Sequence, residues 1–236
     1  MKILPLAVFG ATSLWMQAAH AVEVTGGSIG LSYSAFTEDT SVSRVGIDGS
    51  VELAFNRNIS AQVDLGYSDF NTTGLNTTTL GLHGIYHVND ATSFGAFYAN
   101  ENANGGGDAD IYGIEAGHEA GQFEFEGYLA RVDGATSDGD MLGVMARYEF
   151  ATALGVTGSY DYVDAAGSDF SKLAVKLDRD VTPNVNLYVE LGTAKASSGG
   201  LSGTEPFVGL GGKFVFGAER GATFEQRGFT RVFPGL

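Results

Sequence analysis

The chain has 236 residues, a formal net charge of −15 and no cysteine, and it contains 35 glycines, 16 phenylalanines and 10 tyrosines. The acidic balance excludes a nucleic-acid partner because phosphate binding needs a basic face, and the lack of cysteine excludes disulfide cross-links. The aromatic content is too high for a disordered chain, so the sequence predicts one large folded domain.

Residues 1–21 are predicted to be a secretory signal peptide. Lys2 is the only charge among them, an apolar stretch runs from Ile3 to Trp15, and the triplet Ala19-His20-Ala21 ends the segment. A charged start, a short apolar region and a small-x-small end are typical of exported proteins. No apolar run after this segment approaches the length of a membrane-spanning helix, which excludes a helical membrane protein.

The rest of the chain, from residue 22 to residue 217, shows a repeated period-2 alternation. For example, the apolar Val51 and Leu53 alternate with the polar Ser50 and Glu52. Such alternation predicts a strand with one apolar face and one polar face. Twelve segments carry this pattern, at residues 26–36, 44–56, 59–70, 77–88, 92–101, 110–119, 122–132, 140–150, 154–163, 169–179, 185–195 and 205–217. Their length suits tilted strands that cross a membrane.

The connections between these segments alternate in length. Those after even-numbered segments are brief, whereas those after odd-numbered segments are longer and polar, at residues 37–43, 71–76, 102–109, 133–139, 164–168 and 196–204. Aromatic side chains concentrate near the segment ends, as in the two girdles of a membrane barrel. We therefore predict an all-β fold, an antiparallel up-and-down transmembrane β-barrel of about 12 strands, with periplasmic termini and extracellular long loops.

The last segment carries the most specific motif, Gly209-Leu210-Gly211-Gly212-Lys213-Phe214-Val215-Phe216. It is similar to the closing-strand signal of the porin-like outer-membrane β-barrel proteins of Gram-negative bacteria, in which a glycine precedes alternating hydrophobic residues and a final aromatic. The resemblance implies a location in the bacterial outer membrane, with lipid and lipopolysaccharide as partners. It also implies recognition by the barrel assembly machinery through Gly211, Phe214 and Phe216.

Residues 218–236 depart from that family pattern, in which the final aromatic usually ends the chain. The apolar residues of this tail follow no period of 2, and Arg220, Arg227 and Arg231 make it locally basic. We predict a C-terminal periplasmic extension that tucks into or across the barrel mouth.

If the apolar face of each strand points to lipid, the other face lines the lumen. The candidate pore-lining residues on that face are Asp48, Glu52, Asp64, Glu115, Glu119, Glu124, Glu126, Arg147, Lys172, Lys176, Glu190 and Lys213. The sixth and seventh segments form an acidic wall, and the eighth, tenth and twelfth form a basic wall. Such walls either orient permeating ions or pair with each other as structural salt bridges. Space left by Gly95, Gly113, Gly143 and Gly155 on the same face favours a pore.

The predicted function is a passive, non-enzymatic porin-like channel for small polar solutes or ions that needs no cofactor. The alternative is a closed barrel with a structural or surface-recognition role. Catalysis is disfavoured because His83 and His87 stand about 13 Å apart along one strand, too far to share a metal ion. The face parity does place His87 near Ser60 or Ser93, so a Ser-His arrangement is an open alternative.

The six long loops contain acidic residues but neither lysine nor arginine. Acidic loops beside anionic lipopolysaccharide repel it unless divalent cations bridge the two, and carboxylate oxygens suit Ca²⁺ or Mg²⁺. The loops are therefore either cation-bridged to lipopolysaccharide or simply solvated.

Overall fold

The structure, a computed structural model, describes residues 22–105, 107–134, 138–151, 153–217 and 221–235. The predicted signal peptide, residues 1–21, lies outside the described residues. None of the described residues form a helix that is both long enough and apolar enough to cross a bilayer.

Within the described residues, twelve strands form one closed antiparallel barrel, as the alternation predicts. The strands are β1 (Glu23–Phe36), β2 (Ser43–Ala54), β3 (Ile59–Phe70), β4 (Leu75–Asn89), β5 (Thr92–Ala103), β6 (Gly107–Ala120), β7 (Phe123–Gly134), β8 (Asp138–Phe150), β9 (Leu154–Ala165), β10 (Ser168–Thr182), β11 (Val185–Ser198) and β12 (Leu201–Gly217). Each pairs with its neighbours in chain order, and β1 pairs with β12 from Gly26↔Gly217 to Phe36↔Phe207. Closure leaves no sheet edge, so the backbone hydrogen bonds of the barrel are satisfied internally.

The outer face of the barrel is apolar. Leu65, Ile114 and Leu129 are 61%, 62% and 60% exposed, although large apolar side chains of a water-soluble protein are usually buried. Strict alternation turns the polar residues between them into the interior. The barrel therefore presents its apolar side chains to lipid, as the sequence pattern predicts.

The two ends of the barrel carry different connections. We name the end with the connections after β2, β4, β6, β8 and β10 the turn end, and the opposite end, with the connections after β1, β3, β5, β7, β9 and β11, the loop end. β1 begins and β12 finishes at the turn end.

The strands continue farther towards the loop end than the sequence predicts. β9 and β10 are joined by residues 166–167 alone, and β11 and β12 by residues 199–200, so these two predicted long loops are tight hairpins. Both central residues have positive φ in each case, 54° and 74° in the first hairpin and 59° and 85° in the second. This conformation matches the twist of paired strands. The Ser, Thr and Asp residues that suggest loops form the hydrogen-bonded strand ends instead.

The interior near the loop end is apolar. Two clusters of buried side chains lie there, one built from β5 to β9 and the other from β1, β10, β11 and β12. Their largest members include Phe97, Ile111, Met141, Phe36 and Phe207.

Candidate functional site: the barrel interior

The tail segment, which we define as residues 221–235, runs through the lumen from the turn end to the loop end. At the turn end Gly221 lies so close to Gly26 that a Cβ on Gly26 would stand 2.0 Å from the Gly221 carbonyl oxygen. At the loop end the Ser34 hydroxyl donates a 2.7 Å hydrogen bond to the Pro234 carbonyl. The tail therefore enters the barrel, one of the two placements expected from its sequence, and continues beyond the mouth to the opposite end.

Wall side chains satisfy the backbone of the tail segment. The Gln62 amide donates to the Phe224 carbonyl at 2.8 Å and accepts from the Phe224 N–H at 3.2 Å. Glu52 accepts the Thr223 N–H at 2.7 Å. Buried peptide groups need such partners, and the tail forms no strand that could supply them.

Three wall residues hold Thr230 near the loop end. The Glu101 carboxylate accepts its N–H at 3.2 Å and also its hydroxyl. Arg44 donates to the Thr230 carbonyl at 3.1 Å, and the Thr77 hydroxyl lies 3.2 Å from that of Thr230. This residue begins a short 3₁₀ turn, Thr230–Val232.

Arg227 carries a buried positive charge to the acidic wall. Its Nε donates to Glu115 at 2.9 Å and its Nη2 donates to Glu126. Its guanidinium lies over two aromatic rings, 4.5 Å from the Tyr128 centroid and 5.9 Å from the Phe97 centroid. Charge-assisted bonds and ring faces together offset the cost of removing the guanidinium from water.

His83 extends this arrangement across the wall. Its two ring nitrogens lie 2.6 Å from Glu115 and 2.8 Å from Asp64, so a protonated ring would donate to both carboxylates. The ring also stacks on Phe97 and on Phe224 of the tail, with centroids 5.7 and 6.4 Å apart. Acidic and basic groups thus alternate from Asp64 to Glu126.

The remaining candidate charges also face the interior, and many pair there. Arg147 lies 2.8 Å from Asp178, Lys172 lies 3.6 Å from Glu190, Lys213 lies 2.9 Å from Glu225 of the tail, and Asp48 lies 3.5 Å from Arg231 of the tail. Lys176 lies over the Tyr188 ring, and Glu119 and Glu124 border the cavity described next. The tail therefore forms ion pairs with both walls, through Arg227 on the acidic wall and Glu225 on the basic wall.

A cavity of about 1210 Å³ runs beside the tail. It reaches the turn end at Gly121 and Asn184 and extends inward to Lys172, Tyr188 and Glu190. Charged side chains of both signs line it, which suits water and small polar solutes.

Aromatic side chains of the tail separate this cavity from the loop end. Phe233 packs against Phe170 with ring centroids 4.2 Å apart and against Phe229 at 5.0 Å. Val232 is buried in the apolar cluster of β5 to β9. An apolar layer of this kind disfavours water and ions.

The glycines predicted to leave a pore accommodate side chains instead. A Cβ on Gly95 would stand 2.8 Å from the Phe224 ring and 2.6 Å from Glu115, and one on Gly143 would stand 2.2 Å from the Tyr128 ring. At Gly155 the neighbours are Asp178 and Arg147, and at Gly113 they are backbone atoms of β7. The space at these four positions is therefore taken up.

The histidine near the turn end lacks the geometry of a hydrolase. His87 contacts Ser60 at 2.9 Å through Nε2 and Ser93 at 2.8 Å through Nδ1, as the face parity predicts. A Ser-His-acid triad needs a carboxylate at the second nitrogen to orient the ring, but Glu52 lies on the Ser60 side, 3.3 Å from Nε2. Among the described residues, no group of three or more acidic or histidine side chains is arranged to hold a metal ion.

Sequence reasoning missed two wall residues that bind the tail backbone, Gln62 and Glu101. It also missed Arg227 as the partner of the predicted lumen residues Glu115 and Glu126. The one available signal was the basic character of the tail in a strongly acidic chain. Because the tail is aperiodic, that signal gives no position within the lumen.

Comparisons with known proteins agree with this architecture. A family model described as Gram-negative porin matches residues 7–199. A KdgM porin solved in complex with disordered oligogalacturonate is 13% identical, with a TM-score of 0.62 over 80% of this chain and 99% of that chain. A NanC porin is 10% identical, with a TM-score of 0.59 over 80% of this chain and 98% of that chain. At these identities the solved structures show the shared fold alone. No curated protein matches the chain.

Proposed function

Because the chain belongs to the Gram-negative porin family, and is thereby an outer-membrane channel protein, we propose that it is a non-enzymatic channel for passive diffusion of small polar solutes or ions. The observation that carries this proposal is the cavity of about 1210 Å³ inside a closed barrel, lined by charged groups of both signs and reaching the turn end. The position of Ser93 at the Nδ1 of His87 supports the non-enzymatic part.

The charges of the cavity favour small solutes over long polyanions. Arg147, Lys172 and Lys213 each face a carboxylate, so the lumen offers no row of unpaired cations among the described residues. One related barrel was solved with an oligogalacturonate, but a polyanion entering this lumen would have to displace those carboxylates. We therefore assign small neutral, zwitterionic or cationic solutes to this channel.

The second candidate is a closed barrel with a structural or surface-recognition role. It is favoured by the apolar layer that Phe229 and Phe233 complete near the loop end. Under both candidates we place the termini of the barrel in the periplasm and the loop end outside the cell, following the general arrangement of outer-membrane barrels.

Planar-bilayer recording separates the two candidates. The refolded full chain and the variant Arg227→Gln, whose tail is weakly held, are compared after heat-modifiable gel migration has shown that both are folded. Discrete conductance steps from either protein support the channel. Silence from both folded proteins favours the closed barrel.

A further inference from the structure

The interior has the features of a peptide-binding site. Side chains from five strands bond to backbone atoms of the tail segment: Ser34 of β1, Arg44 and Glu52 of β2, Gln62 of β3, Glu101 of β5 and Glu126 of β7. Bonds to peptide N–H and C=O groups recognise a peptide backbone whatever its side chains, and β-strand addition uses the same groups. Here wall side chains take the place of a sheet edge.

One side chain of the tail supplies specificity. Arg227 fits between Glu115, Glu126 and the rings of Tyr128 and Phe97. Arg227 is the cation that contacts both carboxylates, whereas His83 contacts Glu115 and Asp64. A buried carboxylate without a cation is costly, so the wall is complementary to an arginine at this level of the lumen.

The shape of the wall, like its charge, is complementary to the tail segment. The Phe224 ring lies over Gly95 and Gly117, where an added Cβ would stand 2.8 and 3.3 Å from the ring. These glycines provide the recess in which the aromatic side chain packs against His83.

The tail is bound to the barrel but is not part of its sheet. β1 pairs with β12 over the full seam, so the barrel is closed by its own strands. The charged cavity runs along one side of the tail and reaches the turn end, which gives water access to that side. Removal of the tail would therefore break side-chain contacts and leave the backbone ladder intact.

We propose that the lumen is a binding site for an arginine-containing peptide and that the tail segment is its resident, exchangeable ligand, which keeps the channel closed. This inference rests on the proposed channel function for its effect on conductance, but peptide binding can be measured without it. Closure results from Phe229, Val232 and Phe233, which complete the apolar layer only while the Arg227 site holds the tail.

The first experiment weakens the resident ligand and supplies it again in solution. In the full chain, Arg227→Gln is expected to raise the open probability at least about tenfold, because a buried ion pair loses one partner. The matched control is Lys195→Gln, which neutralises an exposed cation outside the lumen. A synthetic peptide of residues 221–235, added to both sides of the bilayer, is expected to close the variant, whereas the same peptide with R227Q is not.

The second experiment locks the tail in place. The hydroxyl oxygens of Thr77 and Thr230 lie 3.2 Å apart, and the chain has no cysteine of its own. The double variant T77C/T230C is expected to be silent when oxidised and to regain wild-type behaviour when reduced. Sustained conductance from the oxidised, cross-linked protein would overturn the proposal.

The outcomes distinguish this inference from the proposed function. Equal conductance of the wild type, Arg227→Gln and both redox forms of the double variant would support the proposed channel function. It would overturn the proposed role of the tail in closing the channel. If no folded variant conducts, the proposed channel function is wrong. Binding of the labelled peptide to the Arg227→Gln barrel, measured by fluorescence anisotropy, then tests the peptide site by itself. Saturable binding of the native peptide but not of the R227Q peptide supports the site, and equal or absent binding overturns it.

Discussion

Gly95 shows how a single residue of the wall determines whether the tail fits. A Cβ at this position would stand 2.6 Å from the Glu115 carboxylate oxygen that contacts His83, and 2.8 Å from both Cγ of Glu115 and the Phe224 ring. The ring and Cγ, unlike the free end of a flexible side chain, cannot easily move aside. The space that sequence analysis attributes to a pore is therefore the space that the tail needs.

We expect Gly95→Ala to loosen the tail while the barrel stays folded, with a cost of about 1–3 kcal/mol from overpacking. The measurement is trypsin cleavage after Arg227 and Arg231 in the folded protein, followed by mass spectrometry. Gly84→Ala is the control, since an added Cβ at this position of the adjacent strand would meet only the Ala96 carbonyl at 4.0 Å. Equal cleavage rates in the two variants would show that Phe224 does not depend on this recess.

The lysines of β10 determine the charge of the cavity. Lys172 lies 3.6 Å from Glu190, and neutralising the lysine would leave that carboxylate facing the cavity without this partner. We expect K172Q/K176Q to shift ion selectivity a few-fold further toward cations, because a unit charge at 4 Å contributes about 1 kcal/mol in water. Reversal potentials in a salt gradient measure this shift, and Arg227→Gln provides the conducting background if the wild type is silent. An unchanged reversal potential would mean that these lysines do not border the path.

Residue positions could be predicted from the sequence only where the backbone is periodic. Parity places Asp64 and Glu115 inside the barrel, and the structure has both there, 0% and 4% exposed. Their partners could not be predicted, because the pairing of Glu115 with Arg227 joins residues 112 positions apart through an aperiodic segment. Alternation gives the direction of a side chain, but not the residue that it meets.

Among the elements, the closing strand β12 combines two roles. Its inward residue Lys213 lines the cavity and Gly211 lies against the Tyr188 side chain, whereas Phe214 is 48% exposed on the outer face. The outer face at the turn end is the part that resembles the assembly signal of the family. The residue expected from the resemblance to contact the assembly machinery, Phe214, is therefore also one that is exposed on the outer face.

We expect Phe214→Ser to lower the amount of assembled protein in the outer membrane several-fold and to affect refolding in detergent far less. Val208→Ser is the matched control, because Val208 is 39% exposed on the same face of the same strand. Heat-modifiable migration of membrane fractions reports assembly in cells, and the same gel reports refolding in vitro. Equal losses for both variants in cells would indicate a general effect of polarity on this face and not recognition of the aromatic.

Strand number and strand pairing could be predicted because each strand carries its own alternation, but strand ends could not. β10 begins at Ser168 and β11 ends at Ser198, and these residues pair with each other well beyond the apolar band. A polar residue forms the backbone hydrogen bonds of a strand as well as an apolar residue does. Outside the lipid, the change from apolar to polar residues therefore does not indicate where a strand ends. The aromatic girdle indicates the membrane boundary and not the end of the strand.

On the scale of the whole molecule, the loop end presents an acidic, tyrosine-rich rim. Tyr98 donates to Asp110 and Tyr162 donates to Asp169, each at 2.6 Å. These bonds hold carboxylates beside the girdle, where lipopolysaccharide phosphates would lie if this end faces the cell exterior. A bridging cation would then have lipid as well as protein ligands.

We expect chelation of divalent cations to lower the thermal midpoint of the barrel in lipopolysaccharide-containing membranes, because unbridged carboxylates and phosphates repel each other. The same treatment in neutral phosphatidylcholine vesicles is the control and is expected to have little effect. An unchanged thermal midpoint in both membranes would indicate that the rim is an ordinary solvated surface without bridging cations.

The final prediction concerns whether the barrel and its tail are separable. A chain that ends at Gly217 retains every strand pairing of the barrel. It loses the burial of Phe224 and Val232, which are 2% and 3% exposed, while water entering the emptied lumen rehydrates Glu115 and Glu126. We therefore expect it to refold as a heat-modifiable barrel whose free energy of unfolding is lower by a few kcal/mol and whose thermal midpoint is lower as a result. The peptide of residues 221–235 should stabilise the truncated barrel by an amount that grows with the logarithm of peptide concentration, about 2.7 kcal/mol at a hundred times its Kd, and should raise the midpoint accordingly. If the truncated chain only aggregates, the tail is needed for folding. If the thermal midpoint of the truncated barrel does not change when the peptide is added, the tail is not a ligand.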